Sequence, residues 1–423
     1  MTPSRPWSSN FSRASSRLMP LRSGTLTTSP KPVIHFRTVW AEIPRIIKNS
    51  KASTAFTAKV LLLRNNHQLP IGTKVGRGIY LWPMRPLVAV AMGGYSSEFG
   101  ISLLSGSHVL DALDASLCEG LRLELRPNEG WKVFDREGNS LHFIEDRWTV
   151  RLPDGTERRI DAVLNLIHGH PGEDGTLAMA WEQAGIAYSS CSPAASALTF
   201  HKFWTNALAQ RLGLRVMPSV HLRRGGDEAA VHAFLAAQAY PLFVKPCRSG
   251  SSYGVSRITA ADQWAKAREV AWKEDDELIV EQGVLGTELG CGAMVTPEGV
   301  RILGITEIVP KKEFFDFEAK YLGASEEITP ARIPEAAAEA LRFATVRLIE
   351  GMGLRGFVRA DFILPADGTD AVLIEINTIP GMSPESIVPR QLAAAGISMQ
   401  HFTSGLVEAT LKSHEDRAVP RIF

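Results

Sequence analysis

Three observations predict an α/β fold. From residue 84 onward, apolar runs of strand length alternate with stretches of helical spacing. Glycine-rich turns separate the two kinds of segment. No internal repeat or low-complexity tract interrupts the alternation. At ~150 residues per domain, the 423 residues imply two or three domains.

In chain order, Pro86–Ala91 reads as a buried strand, followed by the Gly93-Gly94 turn and an amphipathic stretch from Ser97 to Ala115. Hairpin turns are predicted at Arg136–Asn139 and Pro153–Gly155, where a tight-turn sequence sits between alternating apolar residues. Ile160–Ile167 is a strand that ends in the Gly- and Pro-rich loop His168–Gly175, and Ser196–Leu212 has helical spacing. Pro241–Lys245 is a β-rich run entering the loop Pro246–Gly254; Glu277–Glu281 and Gly299–Glu307 are further strands. The Ala-rich Pro334–Glu350 is a helix, and Gly356–Leu364 and Val372–Asn377 are the last strands.

Composition narrows the function classes. Hydrophobic residues are 45% and charged residues 22%, ordinary for a soluble globular protein, and no apolar run nears the ~18 residues of a membrane span. Disordered, collagenous and membrane-embedded classes are excluded. Charge is uneven: residues 1–83 hold thirteen Lys or Arg and one acid, Glu42, so this leader is +12 in a chain of +1 and the rest is −11. Such a leader reads as an organelle transit peptide, a disordered basic arm, or upstream sequence translated from a start codon placed too early. The last is preferred, because Met84 immediately precedes a domain-opening strand. The four cysteines, Cys118, Cys191, Cys247 and Cys291, form no Cys-x-x-Cys pair, which argues against structural zinc and a disulfide framework and for reduced thiols.

Strand periodicity locates the chemistry. In Val372–Asn377, the side chains of Leu373, Glu375 and Asn377 are expected on one face, and in Phe357–Asp361 those of Arg359 and Asp361. If the two strands are neighbours, Asp361, Glu375 and Asn377 form an all-oxygen cluster suited to Mg²⁺; the alternative is a solvated face with an Arg–Asp salt bridge. Lys245 on a strand, followed by the Gly/Ser loop to Gly254, offers a fixed cation and backbone N–H groups for polyphosphate, but the order is not that of a Walker A loop. An ordinary hairpin is its alternative. Gly93–Glu98 stands at a strand-to-helix turn where N–H groups could hold an anion, without the spacing of a dinucleotide site. Glu281 and Glu288 are candidates for adenine-ribose contacts, with two surface acids as the plainer reading. Phe314–Tyr321 is aromatic-rich yet charged, which does not fit a core.

In this order the motifs resemble the D-alanine:D-alanine ligases of the ATP-grasp superfamily, from Met84 to about Leu411. The matching stretches are Met92–Glu98, His168–Gly175, Ser196–Lys202, Val244–Pro246 with Gly250–Gly254, Glu318–Tyr321, Arg359–Asp361, and Glu375–Met382 with Ser386. The resemblance implies an α/β ATP-grasp fold with an N-terminal Rossmann-like α/β domain (84–190), a central α+β domain (191–281) and a C-terminal α+β domain (282–423), behind the leader 1–83. It implies ligation of two D-alanines through an acyl phosphate for peptidoglycan precursor synthesis, with ATP and two Mg²⁺ ions, or Mn²⁺, as cofactors. By motif position Lys202, Lys245 and Lys320 contact phosphates, Glu281 and Glu288 the nucleoside, and Asp361, Glu375 and Asn377 the metals. Arg359 and the Gly381 N–H stabilise the oxyanion, Glu98 binds the first D-alanine ammonium, and Ser251 and Tyr321 complete a triad with it. Ser386 fixes the second carboxylate, and His168 lies near the first substrate or stabilises a turn; His170 is structural.

Retention of Tyr321 favours a dipeptide product, since ligases making D-alanyl-D-lactate use a His there. Phe99-Gly100 replaces a charged pair usual in the family, implying weaker first-subsite affinity, and Cys247–Ser249 and Tyr253 also depart from the common loop. The expected setting is a cytoplasmic homodimer whose partner is the small-molecule substrate, without nucleic acid or membrane. The alternatives are an ATP-grasp ligase for another amino acid or D-lactate, and a non-catalytic nucleotide-binding homologue.

Overall fold

The computed structural model describes residues 84–296, 298–310, 325–368 and 370–418, with the two-residue strands β1 (Thr73–Lys74) and β2 (Tyr80–Leu81). Three sheets organise the chain from residue 84 onward.

The first has eight strands. Its centre is β3 (Leu87–Gly93), buried at every position, flanked in parallel by β4 (Glu119–Arg126) and β9 (Ala162–Asn165), with β10 (Ala187–Tyr188) beyond β9. Covered on both faces, β3 reads as continuous apolar sequence. Val88, Val90 and Met92 pack with Val109 and Leu110 of α1 (Phe99–Asp111), while Leu87, Ala89 and Ala91 pack with Trp181 of α2 (Thr176–Ala184) on the opposite side. An antiparallel meander of β5 (Gly130–Phe134), β6 (Ser140–Ile144), β7 (Thr149–Arg151) and β8 (Glu157–Arg159) completes the sheet, and both predicted hairpin turns are present. Strand β4 was not predicted. Its buried Leu121, Leu123 and Leu125 alternate with charged residues, and Glu124 is buried because Arg122 and Arg126 pair with it.

The stretch Ser196–Leu212 is two helices rather than one. Ser192 caps α3 (Pro193–Phe200), and His201, in extended conformation, ends it and caps α4 (Lys202–Arg211) through Nδ1, which accepts from Trp204 N. Beyond β11 (Arg215–Val216) comes a four-stranded antiparallel sheet in the order β12 (Ser219–Arg223), β15 (Glu277–Gln282), β13 (Leu242–Pro246), β14 (Ser256–Ile258). Helices α5 (Ala229–Ala237) and α6 (Trp264–Ala271) cover one face, where Val231, Leu242, Val244, Trp264 and Val280 form a core. Alternation sends Lys245 and Glu281 to the other face.

The six-stranded sheet runs β11-β20-β19-β16-β17-β18, with β16 (Gly286–Thr296), β17 (Gly299–Pro310), β18 (Ser325–Ile328), β19 (Phe357–Pro365) and β20 (Val372–Asn377), antiparallel except for β11 against β20. Helix α7 (Glu335–Met352) buries Leu341 and Leu348 against Cys291 and Val358. Helices α8 (Ile387–Ala394) and α9 (Met399–Ala418) close the chain, and α9 returns to the first sheet, packing Phe402 and Leu406 in the cluster that holds Val90. No helix among the described residues is long and apolar enough to cross a membrane. All four cysteines are free and buried, and burial pushes Cys118, Cys191 and Cys291 up to about 11.

Candidate active site

Strands β19 and β20 are antiparallel neighbours, with Asp361 opposite Glu375 and Arg359 opposite Asn377. One detail departs from simple alternation. A bulge at Asp361/Phe362 shifts the register, so Leu373 joins Ile376 in the core instead of sharing a face with Glu375, while Ile374 and Glu375 both reach the cleft. Arg359 and Asp361 do form the salt bridge, but it is bidentate and buried rather than solvated: Nε to Oδ1 and Nη2 to Oδ2, each 2.7 Å, with Asn377 Nδ2 donating to Oδ2 at 2.9 Å.

Between this sheet and the four-stranded one lies a cleft of about 570 Å³, bordered by Lys202, Lys245, Glu281, Glu288 and Glu375 with Phe243 and Ile374 as apolar wall. Glu281 is not a surface acid. It is buried, takes Asn206 Nδ2 at 2.8 Å, and lies 2.7 Å from Lys245 Nζ. Glu288 is half-buried on the same wall. Burial alone would lower the Lys245 ammonium, yet Glu281, joined by Glu375 and Glu288, holds it above the ordinary lysine range, so it stays charged. Lys202, the first residue of α4, donates to Ser249 O at 2.6 Å and lies 3.4 Å from Glu375 Oε2. The loop after Lys245 does join two antiparallel strands, β13 and β14, as a hairpin, and Lys202 ties it down.

At the other end, Ser251 Oγ donates to Glu98 Oε1. A Cβ at Gly250 would press on the Glu98 carboxylate and displace it. Ser251 and Ser252 hold the left-handed backbone region, at φ 49° and 60°. The Gly93–Glu98 turn is not an open anion cradle: Gly93 N donates to Ser102 Oγ, Gly94 N to Leu125 O, Tyr95 N to His170 O and Glu98 N to Ser96 Oγ. Its Ser96 Oγ in turn donates to His168 O at 2.8 Å.

His168 is buried, with both ring nitrogens engaged. Met382 N donates to Ser105 Oγ, which lies 3.1 Å from Nε2, while Nδ1 lies 2.8 Å from Ile379 O. That chain is satisfied by a neutral ring protonated on Nδ1. Burial, against the pull of Glu98, keeps the imidazole below its ordinary range. These contacts are those of a turn-stabilising histidine for the loop carrying Gly381, where an added Cβ would come within 2.7 Å of Ser386 Oγ. Ser386 itself lies 2.8 Å from Ser383 Oγ. His170 bonds Asp174 at 2.5 Å on the surface.

The structure therefore gathers Lys202, Lys245, Glu281, Glu288, Glu375, Asp361, Asn377 and Arg359 in and beside one cleft, Glu98 with Ser251 at the loop, and His168, Gly381 and Ser386 at the loop after β20. Lys320 and Tyr321, with the segment Phe314–Tyr321, lie outside the described residues. One group missed by sequence reasoning is Glu173. It accepts from Gly169 N at 3.2 Å, and burial, then the negative charge of Glu98, holds its carboxyl up at about 7. Its only sequence signal was its place in the Gly/Pro loop.

The arrangement matches known proteins. Residues 87–191 fit the family model of the D-ala D-ala ligase N-terminus and 208–408 that of the D-ala D-ala ligase C-terminus. The D-alanine–D-alanine ligase of Flavobacterium johnsoniae is 38% identical over 326 residues, covering 77% of this chain and 99% of that ligase; that of Flavobacterium psychrophilum is 40% identical over 324 residues, covering 77% and 97%. Among solved structures, the D-alanyl-alanine synthetase A of Vibrio cholerae superposes with a TM-score of 0.69 at 31% identity, covering 78% of this chain and 99% of that one. The VanG D-Ala:D-Ser ligase of Enterococcus faecalis gives 0.69 at 29%, covering 77% and 100%. With both halves matched in order, the chain belongs to the D-alanine–D-alanine ligase family.

Proposed function

We infer that this chain joins two D-alanines into D-alanyl-D-alanine, converting ATP to ADP through an acyl phosphate, and so supplies peptidoglycan precursor synthesis. One observation carries the reading: Lys202 and Lys245 border the same cleft as Glu375 of β20, which stands opposite Asp361 of β19. Phosphoryl transfer needs cations around spreading charge and carboxylates to hold a hard metal.

The donor set fits Mg²⁺ or Mn²⁺, since Asp361, Glu375 and Asn377 each offer oxygen, and Asn377 turns its Nδ2 to Asp361. Bound there, two ions would neutralise phosphate charge and align the triphosphate. Lys202 and Lys245 bind phosphate oxygens, with Lys320 as a third cation by motif position, and Glu281 and Glu288 take the nucleoside. Glu98 receives the ammonium of the first D-alanine, and Ser251, with Tyr321, closes the Gly/Ser loop over it. Arg359, held by its bidentate bond to Asp361, and the Gly381 N–H supply donors for the oxyanion of the tetrahedral step. Ser386 receives the second carboxylate, and His168 positions the Gly381 loop beside the first subsite.

The three sheets support the division into parts at 84–190, 191–281 and 282–423, each sheet lying within one part apart from the short β11 and the last residue of β15, Gln282. A cytoplasmic homodimer without nucleic acid completes the proposal, and four free, buried thiols fit a reducing compartment. Purified protein incubated with ATP, Mg²⁺ and D-alanine should yield the dipeptide by mass spectrometry. Absence of product with D-alanine, alongside product with another D- or L-amino acid, would reassign the substrate.

A further inference from the structure

We propose that Gln391, fully buried on α8, is a positioning residue that sets Ser386 for the second D-alanine carboxylate; the inference rests on the role given to Ser386 above. Ser386 is the N-cap of α8, five residues before Gln391. The helix buries Ile387, Val388 and Leu392, but apolar contact is non-directional and specifies the slide of a helix less sharply than hydrogen bonds do. Gln391 adds the direction. Its Nε2 donates to Gly290 O of β16 at 2.9 Å and to Thr306 Oγ1 of β17 at 3.1 Å. Gly290 O can only accept, which fixes the amide with its nitrogen toward that carbonyl. Thr306 Oγ1 is itself held by Thr329 Oγ1 at 2.6 Å.

The sheet makes room for this side chain. Gly290 and Gly292 share a face of β16, and Gly304 of β17 stands opposite Gly292. A Cβ on Gly292 would come within 2.0 Å of Gln391 Oε1 and one on Gly304 within 3.1 Å of its Cγ, whereas one on Gly290 would meet Arg359 Cδ and Asp361 Oδ1 at 3.3 Å. The amide therefore lies on the same face of the sheet as the Arg359/Asp361 pair, one glycine further along β16. Its Oε1 has no hydrogen-bond partner among the described residues, a cost that an apolar side chain of the same length would avoid. Packing alone has no use for that cost; holding α8 in register with Arg359 does. The loop between β20 and Ser386 is then secured from both sides, by His168 at Ile379 O and Ser105 at Met382 N on one, and by Gln391 on the other.

Gln391→Met keeps the shape of the side chain and removes both bonds. In the full chain with ATP and Mg²⁺ it should raise KM for the second D-alanine about tenfold, with KM for the first D-alanine and for ATP within about twofold. Gly292→Ala leaves the amide in the chain but displaces Oε1, and should give the same selective rise. Gly292→Ala in a Gln391→Ala background, where the collision is gone, should add nothing. Product from the unsubstituted chain establishes the reading on which this rests, so the two can fail separately. A flat second-site KM in both single variants, or an equal rise in all the KM values, overturns the role of Gln391 and leaves that reading standing. Amide hydrogen exchange needs no turnover. In Gln391→Met it should quicken at the Arg390 amide, which donates to Ser386 O, relative to the amides of β3; unchanged exchange at Arg390 also overturns the proposal.

Discussion

Lys202 Nζ stands 3.4 Å from Glu375 Oε2, bringing the first residue of α4 to a carboxylate of β20 across 173 positions of sequence. Such a contact makes one cleft from two domains of motif. Without the ammonium, Glu375 loses one neighbouring cation and the Ser249 carbonyl the Lys202 donor. Lys202→Ala should raise KM for ATP at least tenfold, read by initial rates at saturating D-alanine, with little change in Tm.

Lys245 differs because its partner is more deeply buried. Lys245→Met leaves Glu281 with only Asn206, and an unpaired buried charge costs about 3–5 kcal/mol. Urea denaturation should show that loss, and adding Glu281→Gln should restore part of it while ATP binding stays weak. Equal stability of the single and double variants would contradict the pairing.

Arg359→Ala should lower kcat by about 10²–10³, while ATP binding measured by calorimetry survives. Arg359→Lys should not rescue it, because a point ammonium cannot reproduce the two parallel bonds to Asp361.

Glu173 carries a pH signature. Its carboxyl is raised from 4.5 to about 7, so between these values the unfolded chain ionises while the folded one keeps its proton, and stability falls as pH rises. Below 4.5 the group has no effect, and above about 7 the full loss, on the order of 3 kcal/mol, is present. Glu173→Gln should flatten the fall in denaturation free energy across that window.

Product choice is tested by coupled ADP release with D-alanine alone and with D-lactate added. Retention of Tyr321 predicts dipeptide as the main product near neutral pH; faster turnover with D-lactate contradicts it.

Legibility followed the periodicity. Glu375 and Asn377 of β20 and the Arg359/Asp361 pair were readable because polar residues interrupt apolar runs at strand spacing, and the register brought them together as expected. The bulge that sends Leu373 to the core leaves no mark in composition. Helix α5 was missed because Ala-Ala-Val-His-Ala-Phe-Leu-Ala-Ala is apolar almost all round and shows little contrast. Helix α6 was missed because, after Trp264, its buried stripe consists of the small residues Ala267 and Ala271 among charged ones. Glu281 looked like a surface acid because the lysine that pays for its burial lies on another strand.

The central claim is transfer of the ATP γ-phosphate to the D-alanine carboxylate inside this cleft. D-Alanine labelled with ¹⁸O in both carboxyl oxygens tests it most directly, with the released inorganic phosphate analysed by mass. One labelled oxygen per phosphate, matched to one ADP and one dipeptide, is the expected result; unlabelled phosphate accompanying dipeptide would contradict it.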